Sequence, residues 1–200
     1  NIAEIIDPNG IETTYNYDVF GRLTEEVRQY DSETYPTREY KYNQDGEFPE
    51  SILIKQREAH GEAGTFDTSY FYDGFGNLIE VKEEAEESQQ RMTTIRYDGL
   101  GRVEQLSNPY FDETSEDYVG ETTYTTTYTY DPLNNVVQIK NPDGTTKEIT
   151  FAVWDITVTD ENKNKIGYTI DAYGQITEVI ESIDNIPYTT TYSYTPIGLL

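Results

Sequence analysis

Cysteine is missing from this sequence, and histidine, tryptophan and methionine occur once each. The absence of cysteine excludes both a disulfide framework and a thiolate metal site. No apolar run is long enough to form a membrane-spanning helix, and no signal-peptide pattern opens the chain. Basic residues are also scarce, with 14 Lys and Arg against 38 Asp and Glu. The resulting net charge of −24 argues against nucleic acid, against an anionic membrane surface as a partner and against membrane insertion.

Aliphatic residues are few, because 19 of the residues behind the hydrophobic content of 35% are tyrosines. We therefore expect no thick apolar core, and expect amphipathic rings to supply much of the packing. The high charge and low hydropathy are typical of disordered chains. The abundance of Tyr, Thr, Ile and Val, punctuated by turn residues, instead predicts β-structure.

A nine-residue motif recurs along the chain, with Tyr70–Leu78 (Tyr-Phe-Tyr-Asp-Gly-Phe-Gly-Asn-Leu) as the reference copy. Close copies occupy residues 15–23 and 95–103. Weaker ones occupy 128–136, 168–176 and 192–200, and residues 40–46 keep only the tyrosines and an Asn. The spacing between successive anchors is 24 to 40 residues, which is the range of repeat architectures. We therefore predict one array of about six to seven repeats over residues 1–200.

Each copy predicts a β-hairpin. Asp favours the first position of a type I turn, and Gly three residues later adopts the left-handed conformation that returns the chain, giving a hairpin with a glycine bulge. Asp7-Pro8-Asn9-Gly10 and Asn141-Pro142-Asp143-Gly144 indicate a second kind of turn at the opposite ends of the strands. The fold class is therefore all-β, a continuous curved antiparallel sheet of about 12 to 14 strands. The turn residues that define the repeat are Asp18, Gly21, Asp73, Gly76, Asp98, Gly101, Asp131, Asp171 and Gly174.

Tyrosines at positions i and i+2 place two rings on one face of a strand. In one interpretation these rings pack against rings of neighbouring hairpins as ladders. In the other, some rings face solvent and, together with the hydroxyls of Thr122 to Thr129, bind a glycan. The repeat tyrosines are Tyr15, Tyr17, Tyr40, Tyr42, Tyr70, Tyr72, Tyr97, Tyr128, Tyr130, Tyr168, Tyr192 and Tyr194.

The residue before the turn glycine, or before its counterpart, is large and apolar in most copies. This pattern predicts that the hairpin tip folds onto a neighbouring element instead of projecting into solvent. These residues are Phe20, Phe75, Leu100, Leu133, Tyr173 and Ile197.

Three segments between the copies carry further expectations. Glu80 to Gln90 has helix propensity without apolar periodicity and predicts a solvated loop or a helical turn. Asp112 to Asp117 is a second acidic insertion of the same kind. Ile149 to Thr159 predicts an apolar strand pair, with Trp154 as a packing anchor.

No residue pattern predicts catalysis, a metal site or a cofactor. Asp160-x-Asn162-x-Asn164 imitates the start of a calcium-binding loop, but the Gly at the sixth position and the distal Glu are missing, so we predict a structural turn. His60 has no Cys or Ser motif beside it, and we predict a solvated loop residue.

A chain of Tyr-x-Tyr-Asp-x-x-Gly-Arg-Leu units resembles the YD-repeat, or RHS-repeat, family. The resemblance is specific at Asp18, Asp73 and Asp98, fair at Asp131 and Asp171, and poor at Asn43 and Thr195. It implies that the hairpins form part of one long sheet that spirals into a hollow shell. Members of the family include bacterial polymorphic toxins, insecticidal toxin complexes, wall-associated proteins and teneurins.

The resemblance implies a non-catalytic structural segment, the wall of a shell that encapsulates or presents a toxin or effector domain. The alternative is a cell-surface carbohydrate-binding or adhesion module. The family's aspartyl self-cleavage segment has no match here. The implied partners are neighbouring repeats and an enclosed toxin domain, and the implied location is secreted or at the surface of a bacterium. Because the chain starts and stops within units, we expect an excised piece of a longer protein that self-associates at its sheet edges.

Overall fold

The computed structural model describes residues 1–85, 89–111, 124–183 and 186–195. These residues form 17 β-strands of one antiparallel sheet, and no helix occurs among them. The all-β fold class is therefore confirmed, with more strands than the 12 to 14 expected. Because the described residues contain no helix, they provide no apolar helix of membrane-spanning length.

The chain divides into two compact units. The first comprises the described residues of Asn1–Ile95 and Ser107–Val119, and the second those of Arg96–Leu106 and Gly120–Leu200. Strands β8 and β9 contribute residues to both units. The strands are β1 Glu4–Ile6, β2 Glu12–Tyr17, β3 Leu23–Arg28, β4 Arg38–Asn43, β5 Glu50–Arg57, β6 Thr65–Tyr72, β7 Leu78–Glu84, β8 Gln90–Tyr97, β9 Val103–Ser107, β10 Tyr110–Phe111, β11 Thr125–Tyr130, β12 Val136–Lys140, β13 Thr146–Phe151, β14 Asp155–Thr159, β15 Lys165–Ile170, β16 Ile176–Ile183 and β17 Ile186–Thr191.

In the first unit, each strand from β1 to β7 pairs with the strand that follows it, and the register sorts side chains onto two unlike faces. Tyr70 lies opposite Ile52 and Val81, and Tyr40 lies opposite Ile54. Cross-strand partners share a face, so these residues form one apolar surface, called here the tyrosine face. The opposite face carries charged pairs, among them Lys55 opposite Asp67.

In the second unit, β11 to β17 form an uninterrupted antiparallel meander with the same division. Tyr168 lies opposite Ile156 and Val179, which continues the pattern of tyrosine against aliphatic residues. The opposite face is rich in threonine, with Thr150 opposite Thr157. Both units therefore build a tyrosine face from alternation along their strands.

Within each unit, the side chains of the tyrosine face lie mostly at intermediate exposure. Among the described residues, no large side chain is fully buried, and Met92 is the apolar side chain that comes closest. The expectation that the chain lacks a thick apolar core agrees with this burial.

Two expectations about the segments between the copies were wrong. Residues 80–84 belong to β7, and β8 begins at Gln90, because Glu83 lies opposite Arg91 and their ion pair of 2.7 Å compensates the acidic charge. Trp154 lies in the connection between β13 and β14 with 49% of its surface exposed, so it is no packing anchor, although the strand pair around it is present. Residues 86–88 of the first segment and residues 112–117 lie outside the described part of the chain.

Candidate functional site: the repeat turn and the contact between repeats

The repeat turn is a four-residue turn closed by two backbone hydrogen bonds. In the first copy the amide of Gly21 donates to the carbonyl of Asp18 (3.0 Å), and the amide of Asp18 donates to the carbonyl of Arg22 (2.9 Å). The Oδ1 atom of Asp18 also accepts bonds from the amides of Phe20 and Arg22 (both 2.9 Å). The same pattern recurs in the turns that begin at Asp73, Asp98, Asp131 and Asp171.

The fourth residue of each turn has the left-handed conformation. Gly21, Gly76, Gly101 and Gly174 have φ between 77° and 80°, and Asn134 takes the same position at φ 67° in the fourth turn. Asn is the residue that tolerates this conformation best after Gly. An Asn in place of the motif's Gly therefore preserves the turn.

A second irregularity follows the turn and was not apparent from the sequence. Tyr17 lies opposite Leu23, whereas Asn16 lies opposite Glu25, so Thr24 is an extra residue in the returning strand. Equivalent shifts occur in the hairpins of β6–β7, β11–β12 and β15–β16. Each of these hairpins thus bears a β-bulge just past its turn, and bulges of this kind increase strand twist.

The second carboxylate oxygen of the turn Asp binds the side chain just after the turn. Arg22 Nε lies 2.6 Å from Asp18 Oδ2, and Arg102 Nε lies 2.7 Å from Asp98 Oδ2. Asn77 and Asn135 replace the Arg by donating from Nδ2 to Asp73 and Asp131. In these four turns the position after the turn therefore supplies a hydrogen-bond donor that is either charged or neutral.

These hydrogen bonds lower the pKa of the carboxyls of Asp18, Asp73, Asp98 and Asp131. The side chains of Asn77 and Asn135 are the largest cause for Asp73 and Asp131, and the amide of Arg102 is the largest for Asp98. At Asp18, desolvation is the largest influence and raises the pKa, but the bonds from Arg22 and Phe20 together outweigh it.

The turns at the opposite ends of the strands have the same geometry, so the predicted distinction between two kinds of turn is not present in the backbone. Gly10 and Gly144 donate to the carbonyls of Asp7 and Asn141, with φ of 80° and 83°. Lys163 does the same for Asp160 at φ 70°. The two classes differ in their side chains only.

In the turn that imitates a calcium loop, both carboxylate oxygens of Asp160 accept hydrogen bonds from Asn164, at 2.7 and 2.8 Å. Both oxygens are therefore engaged in closing the turn. Across the described ranges, no group of three or more His, Asp or Glu side chains could hold a metal ion.

The second tyrosine of the pair connects one repeat to the preceding one. Tyr42 donates its hydroxyl hydrogen to the carbonyl of Leu23 (2.8 Å), where the return strand of the previous hairpin begins. Tyr130 bonds Val103 in the same way at 2.7 Å. Tyr194 bonds Ile176, and Tyr17 bonds Ile2, both at 2.8 Å.

The arginine of the preceding turn covers that same ring. The Arg22 guanidinium carbon lies 4.3 Å from the centre of the Tyr42 ring, and that of Arg102 lies 4.5 Å from the Tyr130 ring. Burial raises the pKa of Tyr42, so its hydroxyl remains a donor at neutral pH. Asp, Arg and the next repeat's Tyr therefore form a chain of contacts, called here the repeat clamp, that joins successive hairpins.

Four first tyrosines of the pairs (Tyr40, Tyr70, Tyr128 and Tyr168) lie opposite aliphatic residues and Tyr15 lies opposite Glu26, which corrects the expected ladder of rings. Ile54 faces Tyr40, and Ile139 faces Tyr128. The strands between two repeat hairpins separate the rings, because a non-repeat strand such as β5 lies between β4 and β6. All twelve repeat tyrosines lie at intermediate exposure.

The alternation of side chains along β11 also separates two threonines of the predicted glycan site from its tyrosines. Thr127 and Thr129 lie opposite Lys140 and Gln138, on the face away from Tyr128 and Tyr130. Those two hydroxyls cannot act together with the rings on one sugar. Thr122 and Thr123 lie outside the described residues.

The hairpin tips project into solvent, so the expectation that they fold onto a neighbour was wrong. The exposed fraction is 93% for Phe75, 89% for Tyr173 and 81% for Phe20. The cause is geometric: the third turn residue lies beyond the last paired residues, out of reach of the sheet. Leu100 and Leu133 are exposed in the same way, and Ile197 lies outside the described residues.

His60 is an exposed loop residue, as expected, but it has a partner that the sequence did not indicate. Its Nδ1 lies 3.1 Å from both carboxylate oxygens of Asp31, whose side chain is completely buried. Thr37 Oγ1 (2.5 Å) and the amide of Gly61 (3.1 Å) donate to the same carboxylate. This cluster ties the β3–β4 connection to the β5–β6 connection.

Comparison with known proteins agrees with the repeat motif. A sequence model of the family described as RHS Repeat matches residues 1–30 and 114–146. No curated protein matches the sequence. The resemblance to the YD/RHS-repeat family is therefore confirmed by the family match, which assigns RHS repeats to residues 1–30 and 114–146.

Solved structures share the fold at low sequence identity. The crystal structure of TcdB2-TccC3 is 17% identical with a TM-score of 0.78, and the match covers 98% of this chain and 13% of that chain. TcdB2-TccC3 without its hypervariable C-terminal region is 16% identical with a TM-score of 0.80, covering 98% of this chain and 16% of that one. The Photorhabdus luminescens Tc holotoxin pore is 15% identical with a TM-score of 0.81, with the same coverage. This chain thus spans only about one sixth or less of the chains it matches.

Proposed function

We propose that this RHS-repeat chain is one array of about six to seven repeats over residues 1–200 that serves as non-catalytic wall material of a hollow shell. The shell would enclose or present a toxin or effector domain, in a protein secreted by a bacterium or held on its surface. Its partners would be the neighbouring repeats and the enclosed domain. The fold shared with the Tc toxin chains supports this proposal.

The observation that carries the proposal is the repeat clamp. Tyr42 and Tyr130 each bond the backbone of the preceding hairpin while an arginine of that hairpin covers the ring. Contacts that join successive repeats hold the hairpins together in one continuous sheet, as a wall requires. A binding module would instead need a group of residues that forms a site at one place in the chain. We therefore assign the motif residues, from Asp18 and Gly21 to Asp171 and Gly174, the structural role of holding the wall together.

A segment exchange tests the proposal. The structurally matched segment of the TcdB2-TccC3 chain would be replaced by residues 1–200 of this chain and the assembly imaged by electron microscopy, with protease protection as a second readout. We expect a closed hollow particle whose interior segment resists protease. The matched control carries Tyr42→Ala and Tyr130→Ala, which remove the clamp, and should give open, protease-sensitive particles. Open particles from the unmodified exchange would contradict the wall function.

Glycan binding by the chain itself provides an independent check. A glycan array followed by calorimetry should show no saturable binding if the chain is wall material only. Saturable binding that Tyr→Ala substitution abolishes in a folded variant would favour the carbohydrate-binding alternative.

A further inference from the structure

The hydroxyl bond between repeats follows a rule of strand register, which β3 and β4 show first. Glu26 of β3 lies opposite Arg38 of β4. Counting on from this pair in opposite directions brings Tyr42 level with Arg22. Tyr42 bonds the carbonyl of the following residue, Leu23, at 2.8 Å. The hydroxyl donor is therefore the residue that lies level with the one before the return strand, and its place is called here the clamp position.

The same count holds at other junctions between strands. The register of β16 and β17 brings Tyr194 level with Gln175, and Tyr194 bonds the next carbonyl, that of Ile176, at 2.8 Å. The bond from Tyr17 to Ile2 follows the same count between β1 and β2. The clamp position is thus set by the pairing of the strands and recurs in both units.

At β12 and β13, the clamp position is occupied by a residue without a hydroxyl. The register brings Phe151 level with Asn135, so the carbonyl next in line is that of Val136, the first residue of a return strand. Phenylalanine has no hydrogen to donate, and the clamp bond cannot form here. Asn135 also stands where the first copy has Arg22, so this turn supplies no guanidinium to cover the ring. Both halves of the repeat clamp are therefore absent at this junction.

The Val136 carbonyl nevertheless points toward β13. The carbonyl of Asn135 accepts a hydrogen bond from the amide of Asp131 (2.9 Å), so it points toward β11. Successive carbonyls of a strand point to opposite sides, which directs the carbonyl of Val136 at β13. In the first copy the equivalent carbonyl, that of Leu23, is the one that Tyr42 bonds. The acceptor therefore faces the strand that lacks the donor.

Backbone pairing does not replace the clamp bond at this junction. Three residue pairs join β12 and β13, all next to the Asn141–Gly144 turn, and the pairing ends at Gln138 and Glu148. The other described strand pairs of β11 to β17 have four to six residue pairs. A cleft of about 470 Å³, lined by Val137 and Phe151 among others, opens beside the end of the pairing. The two strands therefore diverge toward the end that carries the repeat turn.

The clamp position between β14 and β15 also lacks a hydroxyl, but there the backbone closes the junction. Ile170 occupies that position, and its amide donates to the carbonyl of Trp154 at 2.7 Å. The pairing reaches the adjacent residues Asp155 and Thr169 and comprises five residue pairs. Among the described strand pairs of β11 to β17, an absent hydroxyl and short pairing therefore coincide at β12–β13 alone.

We propose that the β12–β13 junction is a built-in opening point of the second unit. The two strands part from the end that carries the repeat turn toward the Asn141–Gly144 turn, while the neighbouring junctions stay paired. Local opening of this kind occurs where few contacts must be broken. The β11–β12 and β13–β14 hairpins then move as separate bodies about the Asn141–Gly144 turn. The opening is a property of the second unit by itself and does not depend on the wall function.

Hydrogen exchange of the folded chain, followed residue by residue by NMR at neutral pH, tests the opening. Amides that bond across β12–β13 should exchange at least about tenfold faster than amides that bond across β14–β15, because fewer hydrogen bonds hold the first junction closed. This comparison uses the unmodified chain, so its outcome does not depend on the folding of a variant. Equal exchange across the two junctions would overturn the proposal.

The Phe151→Tyr variant supplies the hydroxyl that the clamp position lacks. It should slow exchange across β12–β13 by about two- to tenfold, which is the contribution of one hydrogen bond, and leave exchange across β14–β15 unchanged. The matched control is Tyr194→Phe, which removes the hydroxyl from the β16–β17 junction. It should speed exchange across β16–β17 by a similar factor without affecting β12–β13.

Two results with the folded Phe151→Tyr variant would count against the opening point. Unchanged exchange across β12–β13 would mean that the absent hydroxyl does not determine the opening. Exchange that slows by the same factor throughout the second unit would indicate global unfolding in place of a local event. Either result would overturn the proposal.

Discussion

The two units build the same tyrosine face but differ on the face behind it. In the first unit, ion pairs cross that face or run along it, such as Lys55 with Asp67 at 2.6 Å and Lys82 with Glu80 at 3.0 Å. In the second unit, threonines take those places, with Thr150 opposite Thr157. The repeat therefore constrains one face, the turn and the clamp, while the other face is free to vary in chemistry. Four experiments on the stability of the chain distinguish the parts that the repeat constrains from the face that varies.

Low pH should destabilise both units alike, because both contain turn carboxyls whose pKa is lowered in the folded chain. The pKa values of Asp18, Asp73, Asp98 and Asp131 lie below the ordinary 3.8 in the folded chain. Their ionised forms therefore stabilise the fold above about pH 3.9, the value of an unfolded Asp, and this stability is lost as pH falls through the lower folded values.

Urea unfolding between pH 7 and pH 2 measures this effect through the midpoint. The midpoint should hold down to about pH 4 and then decrease steeply. The Asp73→Asn variant should have a smaller acid loss, since Asn141 shows that an amide can start the same turn. An unchanged midpoint at pH 2 would contradict the structural role of these carboxyls.

Replacing a turn glycine by valine should produce the largest loss from any single substitution. The Gly101→Val variant should lose more than about 1 kcal/mol of the free energy of unfolding, because a β-branched residue is strained at a φ of 77°. The strain comes from the backbone, since no atom of the described residues lies within 4 Å of a side chain added there. Gly76→Val should behave in the same way in the first unit.

The control for this loss lies two residues away. Gly99→Val adds the same side chain to the same turn at a position where the first repeat already has Val19. It should leave the urea midpoint unchanged or raise it, by reducing the entropy of the unfolded chain. Equal losses at both glycines would show that added bulk, and not the left-handed conformation, is harmful.

Removing the clamp hydroxyl should lower the free energy of unfolding by less than the glycine substitution does. The loss should be similar in the two units. Tyr42→Phe and Tyr130→Phe each delete a hydrogen bond to a backbone carbonyl while keeping the ring under its arginine. We expect each to cost about 0.5–1.5 kcal/mol in urea unfolding. Tyr40→Phe, at the first ring of the same pair, is the control and should cost less. A similar cost at Tyr40 would mean that the hydroxyl has no special role in joining repeats.

The sequence predicted those features that depend on a few adjacent residues. Asp18 and Gly21 indicated the turn, and Tyr15 and Tyr17 indicated a shared strand face, because both follow from local backbone rules. The clamp was missed because Arg22 and Tyr42 are twenty residues apart, and only the strand register brings them together. The exposed tips were misjudged because an apolar residue at Phe75 indicates contact with something, but does not indicate whether that element lies within the chain.

Breaking the ion pair between Lys55 and Asp67 should change the free energy of unfolding least, and this change should depend most on salt. It tests whether the face behind the tyrosine face differs between the two units. A double-mutant cycle with Lys55→Gln and Asp67→Asn should yield a coupling of about 0.2–1 kcal/mol in 0.1 M salt, which decreases in 1 M salt because the pair is partly exposed.

The matched cycle in the second unit, Thr150→Ala with Thr157→Ala, concerns an uncharged cross-strand pair and should give a coupling that salt does not change. Asp67 Oδ1 is buried and has no hydrogen-bond partner in the described part of the chain, so Asp67→Asn alone should cost little. A salt-insensitive coupling at Lys55 and Asp67 would show that this face is stabilised by packing in both units, and that its charges serve only solubility.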